Sequence, residues 1–325
     1  MKRVSLKAML CSVTLALACG AATAADTFPT RKIQLVVPFG PGSGTDQIAR
    51  VVAAQLEQQL NVPVVVENRE GAGGVIGTTH VTKSAPDGYT VVMASNAITI
   101  APHLYAQPPY DPEKDLVPVT NVAIMPLALV TSTQNDFTSL RALLDYIRAH
   151  PGEVNYASSG KGAQSHLEVE ALLRSLGLKA VHVPYKNTGI AATDLISNRI
   201  SFYLPALPAV AGHVQAGKLR VLAVGADERS PLAPDAPTFS EALGKADVKP
   251  HAWFGFMVPK GTPDHVVKKL NDEIVKAMKS EDVRQRIRNM KADIRVVETP
   301  DYQAQVKRES AQWRNLVQEL GLQNQ

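Results

Sequence analysis

The ten residues Val37-Pro38-Phe39-Gly40-Pro41-Gly42-Ser43-Gly44-Thr45-Asp46 constrain the fold of this chain more than any other stretch. They follow the short apolar run Ile33–Val37 and precede a segment that places Ile48, Val52, Leu56 and Leu60 on one helical face. That order reads as strand, tight Gly/Pro loop, helix. In such a turn the loop's backbone N–H groups converge with the unpaired N-terminal donors of the helix, which suits an anion. The Gly-Lys-Ser/Thr ending of a nucleotide P-loop is missing. The expected guest is therefore a carboxylate rather than a phosphate chain.

Strand-like and helix-like segments alternate through most of the remaining sequence. Val62–Asn68 is a β-branched run, and Tyr89–Ala94 is another after the turn Pro86-Asp87-Gly88. Leu140, Leu143, Leu144 and Ile147 are spaced as a helix, Asn155–Ala157 reads as a short strand, and Val169, Leu172, Leu173 and Leu176 mark a second helical face. Ala180–Pro184 and Leu219–Gly225 are further strands. This alternation predicts an α/β architecture of parallel sheets covered by helices. Pro263–Lys279, Asp282–Lys291 and Asp301–Leu320 read as mostly helical. The Pro-rich stretches Pro102–Pro118 and Pro231–Pro237 are the loosest parts, and neither reads as a tether. Two domains joined by more than one crossing of the chain fit this absence of a single linker.

The first residues set the expected compartment. Lys2, Arg3 and Lys7 precede the apolar run Ala8–Cys19, and Ala22-Thr23-Ala24 offers small residues for cleavage. This pattern predicts a secretory signal peptide over residues 1–24, too short for a membrane span. A faint lipoprotein-type site at Ala16–Cys19 is the weaker alternative. Cleavage removes both cysteines, Cys11 and Cys19, so no disulfide or Cys-ligated metal is expected. Three of the four net positive charges leave with the leader. A nearly neutral chain without a long basic run argues against nucleic acid.

Several catalytic readings fail on spacing. Gly71-Ala72-Gly73-Gly74-Val75-Ile76-Gly77 carries one residue too many for G-x-G-x-x-G, and tight turns feeding helices are the favoured reading. Ser158-Ser159-Gly160 follows a strand, but Tyr156 stands where a nucleophile elbow has its first Gly. A serine hydrolase using Ser159 and His166, with Asp194 as a third member, is the alternative from the enzyme class. The histidines show neither H-x-H nor H-E-x-x-H spacing, so neither a metal nor another cofactor is expected.

What recurs is a cluster of small and polar residues just after strands. Besides Gly40–Asp46 these are Ser95-Asn96, Ser158–His166 and Tyr185-Lys186-Asn187-Thr188-Gly189. In open α/β sheets ligands collect at the carboxyl ends of strands. Any one group alone fits a helix cap equally well, but four together predict a cleft that holds a ligand without transforming it.

At these residues the chain resembles the periplasmic solute receptors of tripartite tricarboxylate transporters, the Bug receptors. Matching segments are Val36-Val37-Pro38-Phe39 with Gly42–Asp46, Val65–Arg69 with Gly71–Gly74, and Ala85-Pro86-Asp87-Gly88-Tyr89-Thr90. Asn155–Gly160, His182-Val183-Pro184-Tyr185-Lys186, Ala216–Arg220 and Trp253-Phe254-Gly255 follow in order. The resemblance implies a two-domain Venus-flytrap fold with the ligand closed between domains. It sets domain 1 at residues 25–126 and 252–325 and domain 2 at 127–251. It also implies that Phe39–Asp46 holds one ligand carboxylate through backbone groups and waters, opposite the loop Ser158–His166 and the helix start Tyr185–Gly189. The expected ligand residues are Phe39, Gly42, Ser43, Gly44, Thr45, Ser95, Ser158, Ser159, Gly160, Gln164, Ser165, His166, Tyr185, Asn187, Thr188 and Pro205.

Pro205 departs from the family pattern, standing where many relatives carry an acid, beside the apolar Phe202, Tyr203 and Leu204. This predicts an unaminated mono- or dicarboxylate with an apolar or aromatic body, such as terephthalate, and a Phe202–Leu204 wall against it. Lys161, Gln164 and Ser165 are placed to meet a second carboxylate. The expected protein is a monomeric periplasmic receptor that serves the membrane components of a tripartite transporter. A ligand-sensing partner of a membrane sensor kinase is the third alternative.

Overall fold

The computed structural model describes residues 28–185, 188–244 and 248–323; the expected leader and Asn187 lie outside them. In chain order the strands are β1 (Ile33–Val37), β2 (Val64–Asn68), β3 (Thr90–Ser95), β4 (Leu116–Pro126), β5 (Ala128–Ser132), β6 (Asn155–Ser158), β7 (Val181–Pro184), β8 (Phe202–Tyr203), β9 (Leu219–Val224), β10 (His251–Pro259) and β11 (Asp293–Glu298). The helices are α1 (Gly44–Leu60), α2 (Val75–Thr82), α3 (Ala97–Ile100), α4 (Leu140–Ala149), α5 (Gln164–Ser175), α6 (Thr188–Ile196), α7 (Leu207–Gln215), α8 (Phe239–Leu243), α9 (Asp264–Met278), α10 (Glu281–Asn289) and α11 (Thr299–Glu319).

Two sheets organise the molecule, in the orders β11-β4-β10-β3-β1-β2 and β7-β6-β8-β5-β9. They are mixed rather than parallel. β1 pairs in parallel with β2 and β3, whereas β10 runs antiparallel to both β3 and β4. In the second sheet β6 is parallel to β7 and β8, and β5 is antiparallel to β8 and β9. The antiparallel strands β5 and β10 are those entered directly after the chain passes between sheets. These features are those of a two-lobed α/β binding-protein fold.

The crossings lie side by side. Leu127 alone separates β4 from β5, and its N–H donates to the Pro250 carbonyl on the return path at 3.1 Å. Gly225 donates to the Leu127 carbonyl at 2.8 Å. A side chain on Gly225 would collide with the Pro250 carbonyl, so glycine is what lets the strands meet here.

Each sheet is buried on both faces. In the first lobe Ile48, Val52 and Leu56 of α1 pack with Leu270 and Ile274 of α9 on one face, while Trp253, Tyr302 and Val306 fill the other. Ser43 caps α1 by accepting the Asp46 N–H at 3.2 Å, and Asn61, at φ 54°, ends it in the left-handed region. In the second lobe Leu140, Leu143 and Ile147 of α4 pack with Val169 and Leu173 of α5. The C-terminal helix α11 belongs to the first lobe along most of its length. Near its end Trp313, Leu316 and Val317 join Ile100, Leu104 and the second lobe's Leu167 in a shared apolar cluster.

Candidate functional site

A cavity of about 600 Å³ opens between the carboxyl ends of β1, β3 and β6. Phe39, Thr45, Ser95 and Asn96 line it from the first lobe, and Ser159 to Gln164 from the second. Its volume lies within the roughly 300–1,000 Å³ of small-molecule sites. Ile100, Leu104, Tyr105, Ala252 and Phe254 supply apolar walls. Lys161 is the charged side chain of this lining, which contains no carboxylate among the described residues.

The first wall is built by Asp46, which is 2% exposed. Its carboxylate accepts from the Gly42 N–H at 2.9 Å, from Arg50 Nε at 3.0 Å and from Asn68 Nδ2 at 2.8 Å. Asn68 Nδ2 also donates to the Phe39 carbonyl at 2.9 Å, fastening the start of the loop. Burial opposes the charge on Asp46, but the hydrogen bonds from Arg50, Gly42 and Asn68 outweigh it and hold its carboxyl below the usual range. The Gly42 N–H is thus spent inside the loop, and the Ser43 hydroxyl on the cap. The N–H groups of Gly44 and Thr45, at the first two positions of α1, have no acceptor among the described residues.

The second wall repeats this arrangement. Ala163 precedes α5 without a side-chain cap, and the N–H groups of Gln164 and Ser165 have no acceptor among the described residues. The Ser165 hydroxyl instead receives the Ser159 N–H at 3.0 Å and meets Ser159 Oγ at 3.1 Å. Gln164 Nε2 reaches the His251 carbonyl, at the start of β10 of the first sheet, at 2.9 Å. Gly162 lies against Leu104 of the first lobe so closely that a Cβ there would meet both methyl groups at 2.8 Å.

The structure therefore brings Phe39, Thr45, Ser95, Ser159, Gly160 and Gln164 together around one cavity. Gly42, Ser43 and Gly44 form the loop behind Thr45. Ser158 is fully buried and His166 nearly so, and both support the second loop from beneath. Tyr185, whose hydroxyl donates to Asp194 at 2.9 Å, and Thr188 do not line the cavity. Nor does Pro205. Phe202 and Leu204 belong to one core cluster of the second lobe and Tyr203 to another, so the expected apolar wall stands elsewhere. Phe39, Phe254, Ile100 and Leu104 take that place. Of these, Phe254 lay within a segment that carried the family resemblance, whereas Leu104 falls in the stretch Pro102–Pro118 read as loose and Ile100 just before it.

The hydrolase geometry does not assemble. Ser159 Oγ faces Ser165, His166 Nδ1 faces the Gly162 N–H at 3.1 Å, and Asp194 is engaged by Tyr185 and Arg199.

Residues 48–322 match the family model described as the tripartite tricarboxylate transporter family receptor, TctC. The chain belongs to this receptor family. Protein BugT of Bordetella pertussis, a relative, is 40% identical over 304 residues, covering 93% of each chain. Among solved structures, a protein of R. palustris with adipate is similar at a TM-score of 0.74 and 32% identity, covering 90% of this chain and 98% of its own. MatC from Rhodopseudomonas palustris with bound malate matches at a TM-score of 0.71 and 31% identity, covering 89% and 100%. The TctC family comprises solute-binding receptors rather than enzymes, and the two-lobed fold with its interlobe cavity is the architecture of periplasmic binding proteins.

Proposed function

We propose that this protein is a periplasmic receptor that closes its lobes on a small unaminated carboxylate, preferably a dicarboxylate. It then presents the loaded form to the membrane components of a tripartite transporter. The observation that carries this reading is the pairing of two helix N-termini, α1 and α5, from different lobes around one cavity. Each offers two N–H groups without an acceptor among the described residues, and each helix end bears partial positive charge. A ligand with a carboxylate at both ends satisfies both walls only when the lobes are together. Charge-assisted hydrogen bonds of this type contribute roughly 1.5–3 kcal/mol each, so a few of them with apolar burial reach the ~8 kcal/mol of micromolar binding.

The lining favours the absence of an amino group. An ammonium in this cavity meets Lys161 and no carboxylate, and an unpaired buried charge is costly. Phe39, Phe254, Ile100 and Leu104 favour an apolar or aromatic body between the acid groups. The adipate and malate bound by structural relatives are both unaminated diacids. Adjacent chain crossings at Leu127 and Pro250 provide a hinge for domains divided near residues 126/127 and 251/252.

A thermal-shift panel of aliphatic diacids, aromatic acids including terephthalate, and acidic amino acids tests the reading. Stabilisation by at least one unaminated acid is expected. Stabilisation by aspartate or glutamate alone would overturn it.

A further inference from the structure

We propose that His166 and His182 are positioning residues that hold the second-lobe loop in its carboxylate-accepting shape, and that His166 does so only as a neutral imidazole. The role rests on reading Ser159–Gln164 as one wall of the ligand site. Its geometric basis lies beneath that wall.

Hydrogen-bond stoichiometry fixes both rings. The Gly162 N–H donates to His166 Nδ1 at 3.1 Å, so that nitrogen carries no proton and the ring's hydrogen sits on Nε2. Ser158 Oγ donates its one hydrogen to the Gly160 carbonyl at 3.0 Å and accepts the Gly160 N–H at 3.1 Å. Its third contact, 2.6 Å to His182 Nε2, therefore requires a hydrogen on that nitrogen. Both histidines are Nε2–H tautomers, and between them they fix the loop at Ser158, Gly160 and Gly162.

The rings are held by stacking. His166 lies on His182 with centroids 3.8 Å apart, His182 lies on Tyr156 at 5.1 Å, and Tyr156 lies on Phe202 at 5.5 Å. This column runs from the second lobe's core to the underside of the ligand loop.

Its surroundings disfavour protonation. Lys161 on the loop opposes a positive charge on both rings and His166 opposes one on His182, while Glu170 on α5 favours one at His182. Glu170 is itself engaged by the Tyr156 hydroxyl at 2.6 Å. Burial first, then Lys161, pushes His166 down to about 4; burial first, then His166, pushes His182 to about 4. A proton on His166 Nδ1 would set donor against donor at Gly162 and release the loop from its support.

Nitrogen NMR of the imidazoles from pH 7 to pH 4, without ligand, tests this directly. The expected result is two Nε2–H rings that stay neutral until pH approaches about 4, with the Gly162 amide shift following His166. Titration of His166 near its ordinary 6.5, or a Gly162 amide indifferent to it, would overturn the proposal.

Variants give a second readout, with adipate as the probe. His166→Asn puts a non-titrating oxygen where Nδ1 sits, so this conservative replacement should rescue adipate binding at pH 7. His166→Leu, without an acceptor, should weaken adipate about tenfold or more. Equal affinity in the two variants would contradict the positioning role. If the unmodified protein binds no diacid, the ligand reading fails while the tautomers and the Gly162 shift still decide this inference.

Discussion

The Gly42 N–H donates to the Asp46 carboxylate across 2.9 Å, so the loop between β1 and α1 is folded back onto its own helix. Asp46 also binds Arg50 and Asn68, and Asn68 holds the Phe39 carbonyl. Asp46 is thus a scaffold for the loop that leads into Gly44 and Thr45.

Asp46→Ala should leave a folded protein with weakened ligand binding. Loss of charge-assisted bonds worth roughly 1.5–3 kcal/mol each predicts at least about a tenfold fall in affinity, with a lower denaturant midpoint. Because the folded carboxyl is held below 3.8, its stabilisation is complete above that pH and is lost as pH falls through the lower folded value. Urea titrations across that range should show an acid loss in the parent that the variant lacks. An unchanged midpoint and affinity would remove Asp46 from the scaffold.

Gly44→Pro deletes one of the N–H groups that have no acceptor among the described residues. Proline is well accepted at the first helical position, and Ser43 already has the extended backbone that precedes proline (φ −63°, ψ 158°). The fold should therefore persist while affinity for the ligand falls by about tenfold or more. Calorimetry paired with circular dichroism separates the two outcomes, and undiminished binding would take this donor out of the site.

Ligand should compact the molecule. Gln164 of the second sheet's α5 reaches the His251 carbonyl at the start of β10 of the first sheet, and Arg174 pairs with Glu319 on α11 at 3.1 Å. These contacts belong to lobes held together, so small-angle scattering should give a smaller radius of gyration at saturating ligand than without it. Superimposable curves would argue for a rigid site.

Glu168, one turn into α5, lines a second interlobe crevice with Glu309 of α11. Burial chiefly, and the Glu309 charge with it, push the Glu168 carboxyl up to about 7 against a hydrogen bond from Gln164. A raised carboxyl stabilises fully below 4.5 and loses that contribution as pH rises through about 7. Glu168→Gln should flatten this part of the melting-temperature profile. A parallel decline in both proteins would show that Glu168 does not titrate there.

The sequence made the outer framework legible because its signals are local. The strand–loop–helix at Ile33–Leu60 and the helical stripes of α4, α5 and α9 are written in periodicity. β4 was missed because nearly all of Leu116–Pro126 is buried, leaving no alternation to read, and it carries two prolines. β11 was missed because it pairs only at the sheet edge, between two strong helical patterns. In the site, loop position was legible but hydrogen-bond assignment was not. Gly42 has the same composition signature as Gly44, and only the Asp46 contact separates a structural N–H from an available one. Pro205 lies outside the cavity lining, its carbonyl accepting the Ala128 N–H at 2.9 Å, a pairing that sequence order alone does not reveal.

The central claim is that the two lobes each hold one carboxylate of the same ligand, and calorimetry with adipate and hexanoate tests it most directly. The two probes share a six-carbon chain and differ in the second acid group. The account predicts that adipate binds at least about tenfold more tightly than hexanoate, since one carboxylate leaves one helix N-terminus unsatisfied. It also predicts that Gly44→Pro narrows the gap. Equal affinities for the diacid and the monoacid, or binding of glutamate with none of adipate, would contradict it.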